Sequence, residues 1–251
     1  MLDVEFVGAA TLRNLTSANR YQRVHRALAD WVHIYQNELP VMYSVDLWPE
    51  LRGMKVDITL EVGHDFELPD GERVLLAGLT RLLRPRVIFE FGTFTGTTTK
   101  LLSDFAPDAF VHTIDLPDNG FTWDPWIAQR VGEVFRNDAK YAKRIVQHRA
   151  NTRQFDFGPF HGQCHLVFID ASHQYEDVLL DSEVALKMLA PTGVIVWDDY
   201  HAGAHGVVRA LNELTERGLQ IVRLARTRLA VHRRTAFASL PKTNPAPWTR
   251  V

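Results

Sequence analysis

The chain reads as an α/β protein built on a mainly parallel sheet, and three observations predict it. Five apolar runs, Val87–Phe91, Phe110–Asp115, Arg144–His148, His165–Asp170 and Val194–Asp198, alternate with helical stretches that begin near Thr95, Trp123, Tyr175 and His205. Near-continuous apolar strands separated by helices imply strands covered on both faces. The segment Val87-Ile-Phe-Glu-Phe-Gly-Thr-Phe-Thr-Gly-Thr-Thr-Thr-Lys100 passes from a buried strand through two glycines into a Thr-rich helix start. Two closing runs, Leu219–Leu224 and Arg228–His232, read as a terminal antiparallel pair, with Thr227 and charges between them.

Before this alternation the pattern differs. Tyr21, Val24, Leu28, Trp31, Val32 and Tyr35 fall at helical spacing, which predicts an amphipathic helix over Ser17–Leu39, stopped at Pro40. Its aromatic face offers a surface for a homo-oligomer. Val41–Leu47 and Val56–Val62 read as short strands of a hairpin or lid. A helix is expected from Asp70 through Val74, Leu75, Leu79 and Leu82, ended by Pro85. The domain expectation is therefore a cap over 1–67, a catalytic domain over 68–240 and an irregular tail over 241–251, where Pro245 and Pro247 stand.

Composition narrows the function classes. A length of 251 residues suffices for one large core with an appended cap. A net charge of −2 gives no electrostatic reason to expect nucleic acid, and the eleven His are scattered. The one cysteine, Cys164, lies in an apolar run and reads as a small buried hydrophobe. No run reaches the roughly 18 apolar residues that span a bilayer, and the N-terminus has no basic, apolar leader, so no membrane partner and a cytoplasmic location are expected.

In an open α/β sheet, ligands bind beyond the carboxyl ends of the strands. The residues there are Glu90–Gly96, Asp115, Ala150–Thr152, Asp170–His173 and Asp198–Tyr200. The spacing E-x-G-x-x-x-G is neither the G-x-G-x-x-G of dinucleotide enzymes nor a phosphate loop. Glu90 disfavours a pyrophosphate and favours hydroxyls or a cationic group, and Gly92 and Gly96 would let the backbone approach a ligand. An acid at Asp115 can accept both hydroxyls of a ribose; capping the turn-rich Asp115-Leu-Pro-Asp118 is the other reading.

Glu90 to Gly96 resembles motif I of the class I S-adenosylmethionine-dependent methyltransferases. That resemblance implies a Rossmann-like, mostly parallel seven-stranded sheet with helices on both faces and a terminal antiparallel strand. It places the cofactor ribose at Asp115 and Leu116, and Thr93 and Thr97 at the amino-acid end, where a helix N-terminus suits a carboxylate. Asn151 stands where many members have an acid for adenine. It serves either adenine or the loop itself.

The runs Asp170-Ala-Ser-His-Gln-Tyr-Glu-Asp-Val-Leu-Leu-Asp181 and Leu189-Ala-Pro-Thr-Gly-Val-Ile-Val-Trp-Asp-Asp-Tyr200 look like the small-molecule O-methyltransferases that include macrolide- and aminocoumarin-sugar enzymes. The likeness covers Leu68 to Leu214. It implies methyl transfer to a hydroxyl of a sugar, phenol or secondary metabolite, and in metal-dependent members it implies Mg²⁺ held by acids at Asp170, Asp198 and Asp199. Three carboxylates on one rim call for a positive partner, and oxygen ligands suit Mg²⁺, while nothing suggests zinc. Members without a metal share the pattern, and Asp198 has two other roles open, capping the next helix or pairing with Arg209.

His173, three residues past Asp170, is the candidate base, with Asp170 beside it at the catalytic centre; bracing Asp170 is its alternative role. His201 and His205 are rivals. Glu176 suits the first turn of its helix, and Trp197 reads as core. Trp123 and Trp126 form a substrate wall or pack inside. Arg223, Arg226, Arg228, Arg233 and Arg234 read as a solvated basic face, with selection of an acidic substrate or contact with a phosphate as the other reading. Two other classes remain: a non-catalytic binder of the same cofactor, and a nicotinamide oxidoreductase, for which the phosphate-binding glycine pattern is missing.

Overall fold

The computed structural model describes residues 39–59, 67–117 and 125–235. The expected helix up to Glu38, the end of the Val56–Val62 run, Trp123, the side chain of Trp126 and the tail 241–251 lie outside the described residues.

The elements follow the predicted alternation. They are β1 (Val41–Met42), α1 (Ser44–Leu47), α2 (Asp70–Leu83), β2 (Val87–Phe91), α3 (Thr97–Phe105), β3 (Phe110–Asp115), α4 (Pro125–Arg130), β4 (Ile145–Arg149), β5 (Cys164–Ile169), α5 (Tyr175–Met188), β6 (Leu189–Trp197), α6 (His205–Glu216), β7 (Val222–Leu224) and β8 (Ala230–Arg233). They form an eight-stranded sheet in the order β1-β7-β8-β6-β5-β2-β3-β4. Only β8 runs against its neighbours, pairing antiparallel with both β6 and β7. The chain winds outward from β2 to one edge and returns through β5 to the other, so the carboxyl ends of β2 and β5 flank the point where direction reverses.

The eighth strand lies within a run that the sequence predicts as a short strand, but it joins the main sheet. Val41–Leu47 is not one arm of a hairpin: Val41 and Met42 pair parallel with β7, the amide of Arg223 donates to the Pro40 carbonyl, and Ser44–Leu47 turns into a helix. Val56–Thr59 forms no strand. The strand β6 starts five residues earlier than its apolar run, because Leu189 already pairs with Cys164 before the register shifts.

Alternation along β2 assigns the two faces. Ile88 packs with Leu76 and Leu79 of α2, Leu101 and Leu102 of α3, and Val111, Phe168 and Val196 of the sheet. Phe89 and Phe91 face the other way, into rings from Phe155, Phe157 and Phe160, with His112 and His148 stacked on Phe89. Burial, with His148 adding, holds His112 down to about 4, so this layer is neutral. Trp197 is core as predicted: it is fully buried and its indole N–H donates to Ser182 Oγ of α5 at 2.9 Å. Cys164 is also fully buried, as expected. Among the described residues, no helix is long and apolar enough to cross a membrane.

Candidate active site

At the end of β2 the chain turns at Gly92, whose φ is +89°. A Cβ there would lie 1.9 Å from the carbonyl oxygen of Asp170. At Gly96, with φ +90°, it would lie 2.4 Å from the ring of Phe135. Both glycines are therefore required by the protein's own packing, a reason the sequence reading had assigned to ligand approach. The turn is fastened to Asp115: the amides of Thr93 and Phe94 each donate to Oδ2 at 2.9 Å, and that of Leu116 donates to Oδ1 at 2.8 Å.

Glu90 stands beside this turn, fully buried. It accepts the Thr113 hydroxyl at 2.6 Å and the Thr99 hydroxyl, and its Oε1 has no hydrogen-bond partner. Burial pushes its carboxyl up to about 8, against the two hydroxyl bonds, with Asp115 adding repulsion. At neutral pH it is a protonated acid, so it offers a ligand polarity but no full charge. Thr97, expected at the cofactor, and Thr95 donate to Glu67 Oε1 at 2.8 and 2.9 Å. Glu67 carried no signal in the sequence, since it sits in a short run before α2.

Asn151 closes the loop after β4, its Oδ1 accepting the Arg153 amide at 2.9 Å. Arg153 then reaches Asp177 of α5 at 2.6 Å, and Ser172 donates to the other oxygen of Asp177 at 2.8 Å. One carboxylate thus joins the β4 loop to the loop that carries His173.

The second half of the site lies at the ends of β5 and β6. Asp199 has φ +60°, a left-handed backbone conformation uncommon for a residue other than glycine. His173 Nε2 lies 2.9 Å from Asp199 Oδ2, and His201 Nε2 lies 3.3 Å from Oδ1. Asp170, His173 and Asp199 each bring one ligand atom within 4.8 Å of the others. Asp198 is not in that group, which corrects the expected trio of carboxylates. Nor does Asp198 pair with Arg209, whose guanidinium lies 3.9 Å above the ring of Tyr175, and α6 has no side-chain cap.

Its partner is Arg228, placed in the sequence on a solvated face. The guanidinium lies 3.0 Å from Asp199, 3.3 Å from Asp198 and 3.6 Å from Glu72. This explains the titration pattern. Burial raises Asp170 well above the ordinary carboxylate range, with repulsion from Asp198, Asp199 and Glu90 adding and Arg228 opposing. Burial and Asp199 push Asp198 up to about 7. Burial also works to raise Asp199, but the His173 hydrogen bond and Arg228 outweigh it and hold the carboxyl down. The Asp199 bond in turn raises His173 against its burial.

Asp170, His173 and Asp199 are a group that could hold a metal ion, though not the all-oxygen set expected for Mg²⁺. The converging set is two carboxylates and an imidazole rather than oxygen alone, and Asp199 is engaged by His173 and a guanidinium. An S-adenosylmethionine site does fit. Asp115 keeps lone pairs beyond its three amide bonds, and buried Glu90 Oε1 is unmatched beside the turn.

Residues 89–200 match the methyltransferase domain family. No curated protein matches the chain significantly. Among solved structures, the S-adenosylhomocysteine-bound methyltransferase PaMTH1 of Podospora anserina is 16% identical, over 85% of this chain and 95% of that one, with a TM-score of 0.55. A cofactor-bound protein from MTB is 20% identical, over 91% and 96%, with a TM-score of 0.51. The O-methyltransferase TomG of Streptomyces achromogenes is 24% identical over 66% and 80%, with a TM-score of 0.49. The first two show that the fold is a Rossmann-like α/β fold.

The backstop of the His173 loop is Gly206 on α6. A Cβ there would meet the His173 carbonyl oxygen at 2.2 Å and the Tyr175 amide nitrogen at 2.6 Å. His205 opens α6 outside the gathered group, and Glu176 occupies the first turn of α5 as expected.

Proposed function

We propose that this protein is an S-adenosylmethionine-dependent O-methyltransferase acting on a hydroxyl of a small molecule, a sugar, phenol or secondary metabolite. The observation that carries the reading is the His173–Asp199 pair, 2.9 Å apart, at the strand ends beside the Asp115-fastened glycine turn. Asp115 and Leu116 would receive the ribose, Asn151 the adenine, and Gly92, Thr93, Gly96 and Thr97 would line the amino-acid end, with Glu90 behind them and Asp170 bordering the transferred group.

The cofactor, when bound, supplies a methyl group activated by a sulfonium. The chain must orient the acceptor hydroxyl and take its proton. Donation from Nε2–H to Asp199 leaves the lone pair of His173 on Nδ1, the atom that receives the proton as oxygen attacks carbon and the carbon–sulfur bond breaks. Asp199 then stabilises the imidazolium. No step passes through Mg²⁺.

Because Asp199 raises His173, the neutral base accumulates only above the ordinary imidazole range, and activity climbs with pH there. Transfer of labelled methyl to a panel of sugars and phenols tests the reading. His173→Ala should lower turnover about 10²- to 10⁴-fold, and Asp199→Asn should move the acidic limb to lower pH. Near-normal turnover by His173→Ala would remove the base. Cofactor binding without transfer to any acceptor would favour a non-catalytic binder, and binding of a nicotinamide cofactor instead would favour an oxidoreductase.

A further inference from the structure

The rim of acids contains its own cation. Arg228 precedes β8 and is fixed at both ends of its backbone: its amide donates to Glu72 Oε1 at 2.6 Å, and its carbonyl accepts the Tyr200 amide at 2.8 Å. Tyr200 is held in turn, donating its hydroxyl to Asn212 at 2.7 Å and accepting the Leu39 amide at 3.0 Å. The guanidinium is thereby aimed between three carboxylates, one on α2 and two just after β6, with Glu72 and Asp198 only 6% and 4% exposed. A planar fork with five N–H donors can face several carboxylates at once.

We infer that Arg228 is a positioning residue that takes, from within the chain, the electrostatic place of a divalent ion. It sets its charge against Asp198 and Asp199, holds Asp199 facing His173, and makes the site independent of added metal. The role toward His173 rests on the proposed methyl transfer; the competition between guanidinium and divalent ion does not. An ion on Asp199 would face a guanidinium 3.0 Å from the same carboxylate, so the two cations exclude each other. Removing the guanidinium leaves acids with no counter-charge, and such a group recruits a cation or a proton.

The test is a titration of the metal-stripped full chain with Mn²⁺, read by paramagnetic resonance and calorimetry, with S-adenosylhomocysteine binding measured in parallel. The wild type should bind no stoichiometric Mn²⁺ below about 1 mM, and its S-adenosylhomocysteine affinity should not respond to chelator. Arg228→Met should bind Mn²⁺ about tenfold more tightly or better, and Mn²⁺ should raise its melting temperature. Arg228→Lys, which keeps a charge, should stay close to the wild type. Micromolar, stoichiometric Mn²⁺ binding by the wild type would overturn the inference, as would Arg228→Met folding without any gain in Mn²⁺ affinity. Should Arg228→Met not fold, the wild-type titration decides alone. A wild type that ignores S-adenosylhomocysteine overturns the proposed activity and leaves the cation result standing; tight Mn²⁺ with normal S-adenosylhomocysteine binding overturns this inference alone.

Discussion

The two halves of the strand-end rim bury acids in opposite ways. Around β2 and β3, Glu90 and Asp115 are matched by neutral donors: two threonine hydroxyls for one, three backbone amides for the other. Around β5 and β6, Asp198 and Asp199 are matched by Arg228, and Asp199 also by His173. The first half keeps a proton on Glu90 and is held rigid by close packing. The second sets a guanidinium and an imidazole against its acids, although burial still raises Asp170 and Asp198. A region meant to hold a fixed ligand frame gains from neutral, short-range matching. Charged groups held close together have charges that can change with their surroundings.

The largest test of the contrast is Gly92→Ala. If packing rather than a ligand demands glycine, the strained φ and the clash with Asp170 cost roughly 4 kcal/mol, and thermal denaturation without any ligand will show a drop of about 10 °C. A stable variant that only loses S-adenosylhomocysteine binding would return the glycine to the ligand.

Glu90→Gln tests the proton. The folded protein holds a proton on Glu90 up to about 8, whereas the unfolded chain releases it near 4.5. The native state thus binds more protons across that window, and stability falls as pH rises through it. Urea midpoints from pH 5 to 8 should decline less steeply in Glu90→Gln, by on the order of 2 kcal/mol over the range. Asp181 and Asp198, pushed up to about 7, keep a residual slope of the same sign. An unchanged slope would mean that Glu90 is ionised.

Asp177→Asn probes the seam between the halves. It weakens the tie from Arg153 to Ser172 in a pair that is half in solvent, worth about 0.5–1 kcal/mol. The calorimetric dissociation constant for S-adenosylhomocysteine should rise about two- to fivefold. No change would show that the two loops hold their places independently.

The frame was legible because it rests on period. Val87–Phe91 and Phe110–Asp115 match their runs residue for residue, and β4 and β5 shift by one. Val41–Leu47 was legible as a short strand, but the place of β1 in the main sheet was not, since its pairing depends on β7, some 180 residues away. In the site, Asp170, His173 and Asp199 were nameable because strand ends collect function. Arg228 was not, because a charge in a basic stretch reads as solvated until the fold brings Glu72 and Asp198 to it from 156 and 30 positions away. Glu67 and Asp177 escaped for the same reason: each is an ordinary acid until a distant hydroxyl or guanidinium finds it.

The missing side chain at Gly206 sets a boundary for anyone wishing to reshape the acceptor preference of this protein. The residues after Asp199 are an obvious stretch to randomise, yet position 206 is pressed against the backbone that carries the imidazole. Any larger residue there would push the imidazole off its aspartate before it altered which molecule enters. A library that freezes 206 and varies its neighbours would explore selectivity; one that includes it would mostly sample broken catalysts.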